Sequence, residues 1–219
     1  PLYASRREKL RAPFMSTPET HAALCALLRA RVHIQPGTLS RLPTGQTARL
    51  RSPLDLAWLL LAPLERAPLA LLEFWLGHPR GHAVIGPLRH GYAPGVQPVG
   101  RRSYDAVAWV AARRLLARPG LAGPLAGLLD HLLGSDGQPD GLRLSDGAGR
   151  TAAWADVGQR LRRQFSLGYA PPEAAAAPDA YFAWGLRAFL LDAPALSVVD
   201  PGLERLLRTT IFDSRFWQL

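Results

Sequence analysis

Six histidines, one cysteine and seventeen carboxylates are the side chains of this 219-residue chain that could hold a metal or move a proton. Three of the histidines, His78, His82 and His90, fall in one stretch, GHPRGHAVIGPLRHG. An i, i+4 pair of imidazoles grips a metal from one side only if the backbone between them is helical. Pro79 and Gly81 argue against a helix there, and no carboxylate lies between Glu73 and Asp105 to complete a shell. We therefore read them as loop histidines that bond to backbone or face a partner. Metal ligation by His78, His82 and His90 is the weaker alternative, and no cofactor is expected.

Adjacent Asp130 and His131 could serve as a base pair for a distant serine. Their neighbours Leu128, Leu129, Leu132 and Leu133 predict a helix whose polar side chains point outward, and no nucleophile is identified. Asp130, Asp136, Asp140 and Asp146 recur in glycine-rich sequence. The order of oxygen ligands, central glycine and closing glutamate that a calcium loop needs is not met, so they read as turn formers. Cys25, within AALCALL, reads as a packing residue, and a lone thiol excludes a disulfide framework or a cysteine zinc site. Glycine-rich phosphate loops, the nucleophile elbow and the helical zinc motif are absent. The chain reads as a non-catalytic subunit on its own, with an enzyme of a class without a recognisable motif kept as an alternative.

Hydrophobic residues at 48% against 20% charged are enough to build a buried core. Thr17 ahead of Pro18 predicts a helix start, and Ala23, Leu24, Leu27 and Leu28 carry the helix from about residue 19 to Arg31. The period then shortens. Residues 31–34, 38–42 and 47–51 read as three short strands separated by Pro-Gly at 36–37 and Pro-Thr-Gly at 43–45, and most of the β structure is expected here. Ser52 and Pro53 open a second helical stretch, which Pro63 and Pro68 subdivide before Gly77. Residues 77–100 are dense in glycine and proline and read as a long loop. Residues 103–118, 121–133, 154–165, 179–191 and 201–212 read as helices. The expected fold class is mainly α with a small antiparallel β element, a winged-helix-like N-terminal part followed by a helical C-terminal part. Its divisions are an N-terminal arm at 1–18, a winged-helix-like module at 19–77, a Gly/Pro-rich loop at 78–102 and a helical region at 103–219.

The net charge is +9, and 25 of the 26 basic side chains are arginine. Its distribution is uneven. Residues 1–120 hold 17 basic and 6 acidic side chains, +11, whereas residues 121–219 hold 9 and 11, −2. A basic front half facing an anionic partner is one reading, and a solvated arginine surface is the other. If nucleic acid is the partner, the pairs Arg101–Arg102 and Arg113–Arg114 are the candidate contacts. No apolar run reaches the roughly 18 residues of a spanning helix, and no export signal is visible, so a cytoplasmic chain without a membrane partner is expected. Met15, just before the helix entry, marks an alternative translation start.

The layout of residues 31–76, RVHIQPGTLSRLPTGQTARLRSPLDLAWLLLAPLERAPLALLEFWL, resembles the small winged-helix domains of the PqqD-like family, which recognise leader sequences of ribosomally made peptides. The resemblance implies a peptide added as a strand along Ala48, Arg49, Leu50 and Arg51, against a wall of Leu69, Leu72, Glu73 and Trp75. Main-chain groups would supply affinity there, and the arginines would suit an acidic peptide. It also implies a recognition or adaptor subunit that binds a peptide or protein partner and docks on a larger enzyme.

Overall fold

The computed structural model describes residues 17–43, 45, 50, 52–117 and 121–218. Helix α1 (Pro18–Arg31) begins as the sequence predicts: the Thr17 hydroxyl accepts from the Thr20 N–H, and Pro18 sits where an N–H would have no partner. Helix α2 (Pro53–Leu61) opens with the Ser52 N–H donating to Asp55 Oδ2 at 3.0 Å. A 3-10 turn, Ala62–Arg66, takes up Pro63, and α3 (Leu69–Gly77) follows Pro68. More than half of the described residues are helical.

Strand β1 (Val32–Ile34) leaves α1 directly. The other three strands lie where a loop and a helix were expected: β2 (His82–Gly86), β3 (Gly91–Val99) and β4 (Arg102–Ala111). The sheet order is β1-β2-β4-β3, with β1, β2 and β4 parallel and only β3–β4 antiparallel. The β element is thus mixed rather than antiparallel. Burial explains both departures. All five residues of β2 are buried, so it shows no apolar–polar alternation, and its apolar run is too short to separate strand from helix. In β4, residues 106–111 are buried on both faces, so Tyr104, Val107, Val110 and Ala111 imitate a helical stripe. Only α4 (Ala112–Ala117) is helical in that region. The strand expected at 38–42 is a turn followed by a 3-10 segment, Leu39–Arg41, and the one expected at 47–51 lies outside the described residues except for half-buried Leu50.

Helices α5 (Gly123–Ser135), α6 (Ala152–Ser166), α7 (Pro178–Val199) and α8 (Pro201–Thr209) complete the chain. By length and composition α7 could cross a bilayer, contrary to the expectation that no stretch would qualify. It is broken at Asp192, two residues before Pro194, and its first half buries Tyr181, Phe182, Leu186 and Leu190. One hydrophobic core extends from Leu24 in α1 through Ile85 and Val110 in the sheet to Leu129 in α5 and Leu207 in α8. The opposite sheet face carries a second small cluster, Val84, Val107 and Trp109.

Glycine allows α5 and α6 to approach the loop between them. A Cβ at Gly158 would lie 2.2 Å from the Ala148 carbonyl oxygen, and one at Gly134 would lie 2.4 Å from the Leu144 nitrogen. Both obstacles are backbone. Gly158→Ala is expected to destabilise the fold by about 1–3 kcal/mol, the usual cost of overpacking. A urea titration reads this as a lower midpoint at unchanged slope, and an unchanged midpoint would refute the close approach.

Candidate functional site

The parallel pairing of β1 with β2 sets His33 opposite Val84, so His33 and His82 share a sheet face. Val107 and Trp109 of β4 join them, paired with His82 and Val84. β4 bends at Ala106, which has φ of 56°, and the β3–β4 register shifts between Ala93 and Val96. Tyr104 is thereby stacked on His33, with ring centroids 4.6 Å apart, and tilted against His82, with ring centroids 4.1 Å apart.

Hydrogen bonds fix the tautomers of this cluster. Arg31 Nη1 lies 3.3 Å from His82 Nε2, and a guanidinium can only donate, so Nε2 accepts. The proton of His82 is then on Nδ1, which donates across 3.0 Å to His33 Nε2. Arg31 Nη2 also donates to the carbonyls of Leu76 and His78. Burial, then the charge of Arg31, then His33 push His82 down to about 4. Burial chiefly, followed by Arg102 and Arg31, lowers His33.

Beyond the Gly77–Gly81 turn, a cleft of about 380 Å³ is lined by Phe74, His78, Arg80, Asp136 and Arg150. His78 Nδ1 accepts the Arg80 N–H at 3.1 Å, and its Nε2 lies 3.5 Å from Asp136 Oδ1. Arg150 Nε donates to the same oxygen at 2.9 Å, with its guanidinium 4.7 Å from the Phe74 ring. Both imidazole nitrogens are engaged, so His78 has no free lone pair with which to take a substrate proton.

Asp130 and His131 face inward and are buried, correcting the expectation that they point to solvent. Asp130 accepts from the Ser145 N–H at 2.8 Å and the Ser145 hydroxyl at 2.6 Å, and burial pushes its pKa up to about 7 against those two bonds. His131 Nε2 donates to the Gly141 carbonyl at 3.0 Å, leaving Nδ1 to accept the Tyr92 hydroxyl. Asp130 and His131 thus serve different partners, and the serine is enclosed with the carboxylate.

His78, His82 and His90 do not converge, since His90 Nδ1 accepts the Ala111 N–H at 3.3 Å. Among the described residues no group of three or more histidine, cysteine or acidic side chains could hold a metal. Leu72 and Trp75 are in the core, with Trp75 Nε1 donating to the Gly81 carbonyl, while Leu69 is half-buried and Glu73 exposed. Ala48, Arg49 and Arg51 lie outside the described residues. Arg101 and Arg102 lie at the β3–β4 turn, Arg113 and Arg114 beyond the other end of β4, and all four are exposed. Sequence reading missed Arg31, His33 and Tyr104. The alternation of Val32, His33 and Ile34 signals that His33 faces away from the core, but the parallel register that brings it to His82 has no local signature. No protein-family model matches the chain, and no match is found among curated proteins or solved structures.

Burial lowers His33, His78, His82, His90 and His131 alike. The unfolded chain therefore takes up protons below the ordinary histidine value of about 6.5 that these groups refuse when folded, and their contribution to stability falls as pH falls. Asp130 has the opposite sign, keeping its proton in the fold up to about 7. For His82 the window runs from 6.5 down to about 4. His82→Gln should flatten the loss of urea resistance across that window, and a variant as steep as the parent would show that His82 is not held neutral.

Proposed function

We propose that the chain is a non-catalytic recognition subunit that grips the phosphate backbone of a nucleic acid with the arginines of the β3–β4 hairpin and its flanks. One observation carries this reading: Arg101, Arg102, Arg113 and Arg114 are exposed, and none of their side chains makes an ion pair or hydrogen bond among the described residues. From Gly77 to Gly120 the sequence has seven arginines and one carboxylate, Asp105, which lies 3.8 Å from Arg80. The two pairs flank the ten-residue strand β4, one at the hairpin turn and the other just beyond its far end, so that they can meet different phosphates. Arg89, over the Trp109 ring at 4.2 Å, adds charge on the same hairpin. Such contacts position a nucleic acid without reading its sequence.

The competing reading, an acidic peptide added to an edge at 48–51, keeps only Leu69 and Glu73 of its wall at the surface, because Leu72 and Trp75 are enclosed. An enzymatic reading needs an open nucleophile or base. The buried Asp130–Ser145 pair and the doubly engaged His78 offer neither, and the one thiol–imidazole pair among the described residues that such a reading could use is half-buried Cys25, its Sγ 3.6 Å from Nε2 of exposed His21.

Binding to a fluorescent oligonucleotide should weaken linearly on a logarithmic salt scale as counterions are released. Arg101→Ala with Arg102→Ala should reduce that slope by about 1.8 for duplex DNA, or about 1.4 for a single strand, because two phosphates are then no longer neutralised by the protein. Binding without a salt slope, or confined to acidic peptides, would refute the proposal.

A further inference from the structure

The sheet face turned away from the main core carries charge of one sign. Across the β3–β4 hairpin Arg102 pairs with Val99 and Tyr104 with Gln97, so these four side chains share that face with His33, His82 and Trp109. Arg31 reaches the face through His82 Nε2, and Arg89 through Gln97 Oε1, to which its Nη2 donates at 2.8 Å. The charge of Arg102 contributes to lowering His33, which sets that guanidinium near the imidazole. The single carboxylate of the four strands, Asp105, alternates to the other face, where it lies 3.8 Å from Arg80.

Two rings on this face differ in what covers them. Trp109 is 3% exposed, with the Arg89 guanidinium 4.2 Å from its ring centroid. Tyr104 is half-buried, and the two imidazoles against it are themselves only 5.2 Å apart. Imidazoles on opposite sides of the phenol would stand much farther from each other than either stands from Tyr104. Both therefore lie to one side of the ring, and neither covers its other face. Because His33 Nε2 accepts from His82, the His33 proton is on Nδ1, a donor without a partner among the described residues.

We propose that Tyr104 is a stacking platform for one unpaired base, and that the nucleic acid held by the hairpin arginines is single-stranded. The inference rests on the phosphate-binding reading above and names the class of its partner. Arg102 stands two residues from Tyr104, about 7 Å along the strand, so one nucleotide can set its phosphate on the guanidinium and its base on the ring. In a duplex the base faces are stacked on one another and closed to a side chain, whereas a single strand offers each in turn. Every base has such a face, so the platform adds hold without choosing a sequence, and the His33 Nδ1–H supplies a donor beside it.

The test uses the full chain and three DNA probes of one length: a mixed-sequence single strand, the same strand annealed to its complement, and a strand of abasic residues that keeps the phosphates and lacks the bases. The fluorescent single strand should bind about tenfold more tightly than the fluorescent abasic strand, the effect of one base–aromatic stack, at the same salt slope. Tyr104→Ala should remove that difference, and Tyr104→Phe should keep it. Unlabelled single strand should displace the labelled one at a lower phosphate concentration than unlabelled duplex does. Equal binding of the base-bearing and abasic strands would overturn the stack and leave the phosphate reading standing. Displacement by duplex at the lower phosphate concentration would overturn the single-stranded assignment, and a lack of any salt-dependent binding would overturn both readings together. Should Tyr104→Ala fail to fold, the abasic comparison on the unmodified chain still reads the same contact.

Discussion

Strand β2 has neither a free edge nor an exposed face, and that constraint organises the rest of the molecule. It lies between β1 and β4, and all five of its residues are buried. Its backbone donors and acceptors are satisfied by two neighbours that both run parallel to it, which obliges the chain to leave and return between strands. Its first residue is polar, so the His82 imidazole needs partners brought from elsewhere. They come from the junction of α1 and β1, as Arg31 and His33. Arg31 in turn takes the carbonyls at the end of α3, where Leu76 and His78 would otherwise leave acceptors unfilled. Three elements, α1, β2 and α3, meet at one guanidinium, and its Nε is the one buried donor there without a partner.

The same arrangement decides which surface is left for recognition. β3 is the long edge strand, and Pro94 and Pro98 interrupt its row of donors while Val96, at 66% exposure, stands between them. Proline on an edge discourages pairing with another strand. The outer side of the hairpin is therefore poorly suited to receive a peptide as an added strand, and the proposed binding rests on side chains rather than main chain. The bend at Ala106 settles which ones: it folds Tyr104 back onto the histidines and leaves Arg101 and Arg102 at the turn in solvent.

Helix starts were legible wherever a capping residue preceded proline, at Thr17–Pro18 and Ser52–Pro53, because both signals act within a few residues. The sheet was not. β2 is bounded by glycine and enclosed by distant residues, and β3 contains two prolines that mark loops unless the strand happens to be an edge. β4 has a stripe that suits either period once both faces are buried. The arginines at 101, 102, 113 and 114 could be read from their spacing, since exposure is the default state of charge. The His33–His82–Tyr104 stack could not, because it rests on a parallel register across about fifty residues and on a bulge. The fate of Asp130 was misread for a related reason: its partner, Ser145, lies beyond the end of the helix that carries it.

The charge asymmetry of the sequence takes on meaning in the helical half. There Asp130 and Asp200 are buried and hydrogen-bonded, Asp200 accepting from the Tyr181 hydroxyl, the Gln164 amide and the Leu203 N–H. Five further carboxylates pair with arginines of the same half: Asp136 with Arg150, Asp156 with Arg160, Asp179 with Arg143, Glu204 with Arg208 and Asp213 with Arg215. Charge in residues 121–219 is thus largely closed on itself. In the front half the one arginine–carboxylate pair among the described residues is Arg80 with Asp105. The excess positive charge of the sequence falls in residues 1–120, and among the described residues of that half Arg89, Arg101, Arg102, Arg113 and Arg114 make no ion pair. At physiological ionic strength its reach is about 8 Å, so what it attracts must come close enough to touch the arginines themselves. The polyanion proposed as partner, with its regularly spaced charges, meets that condition along a strand better than a single acidic group can.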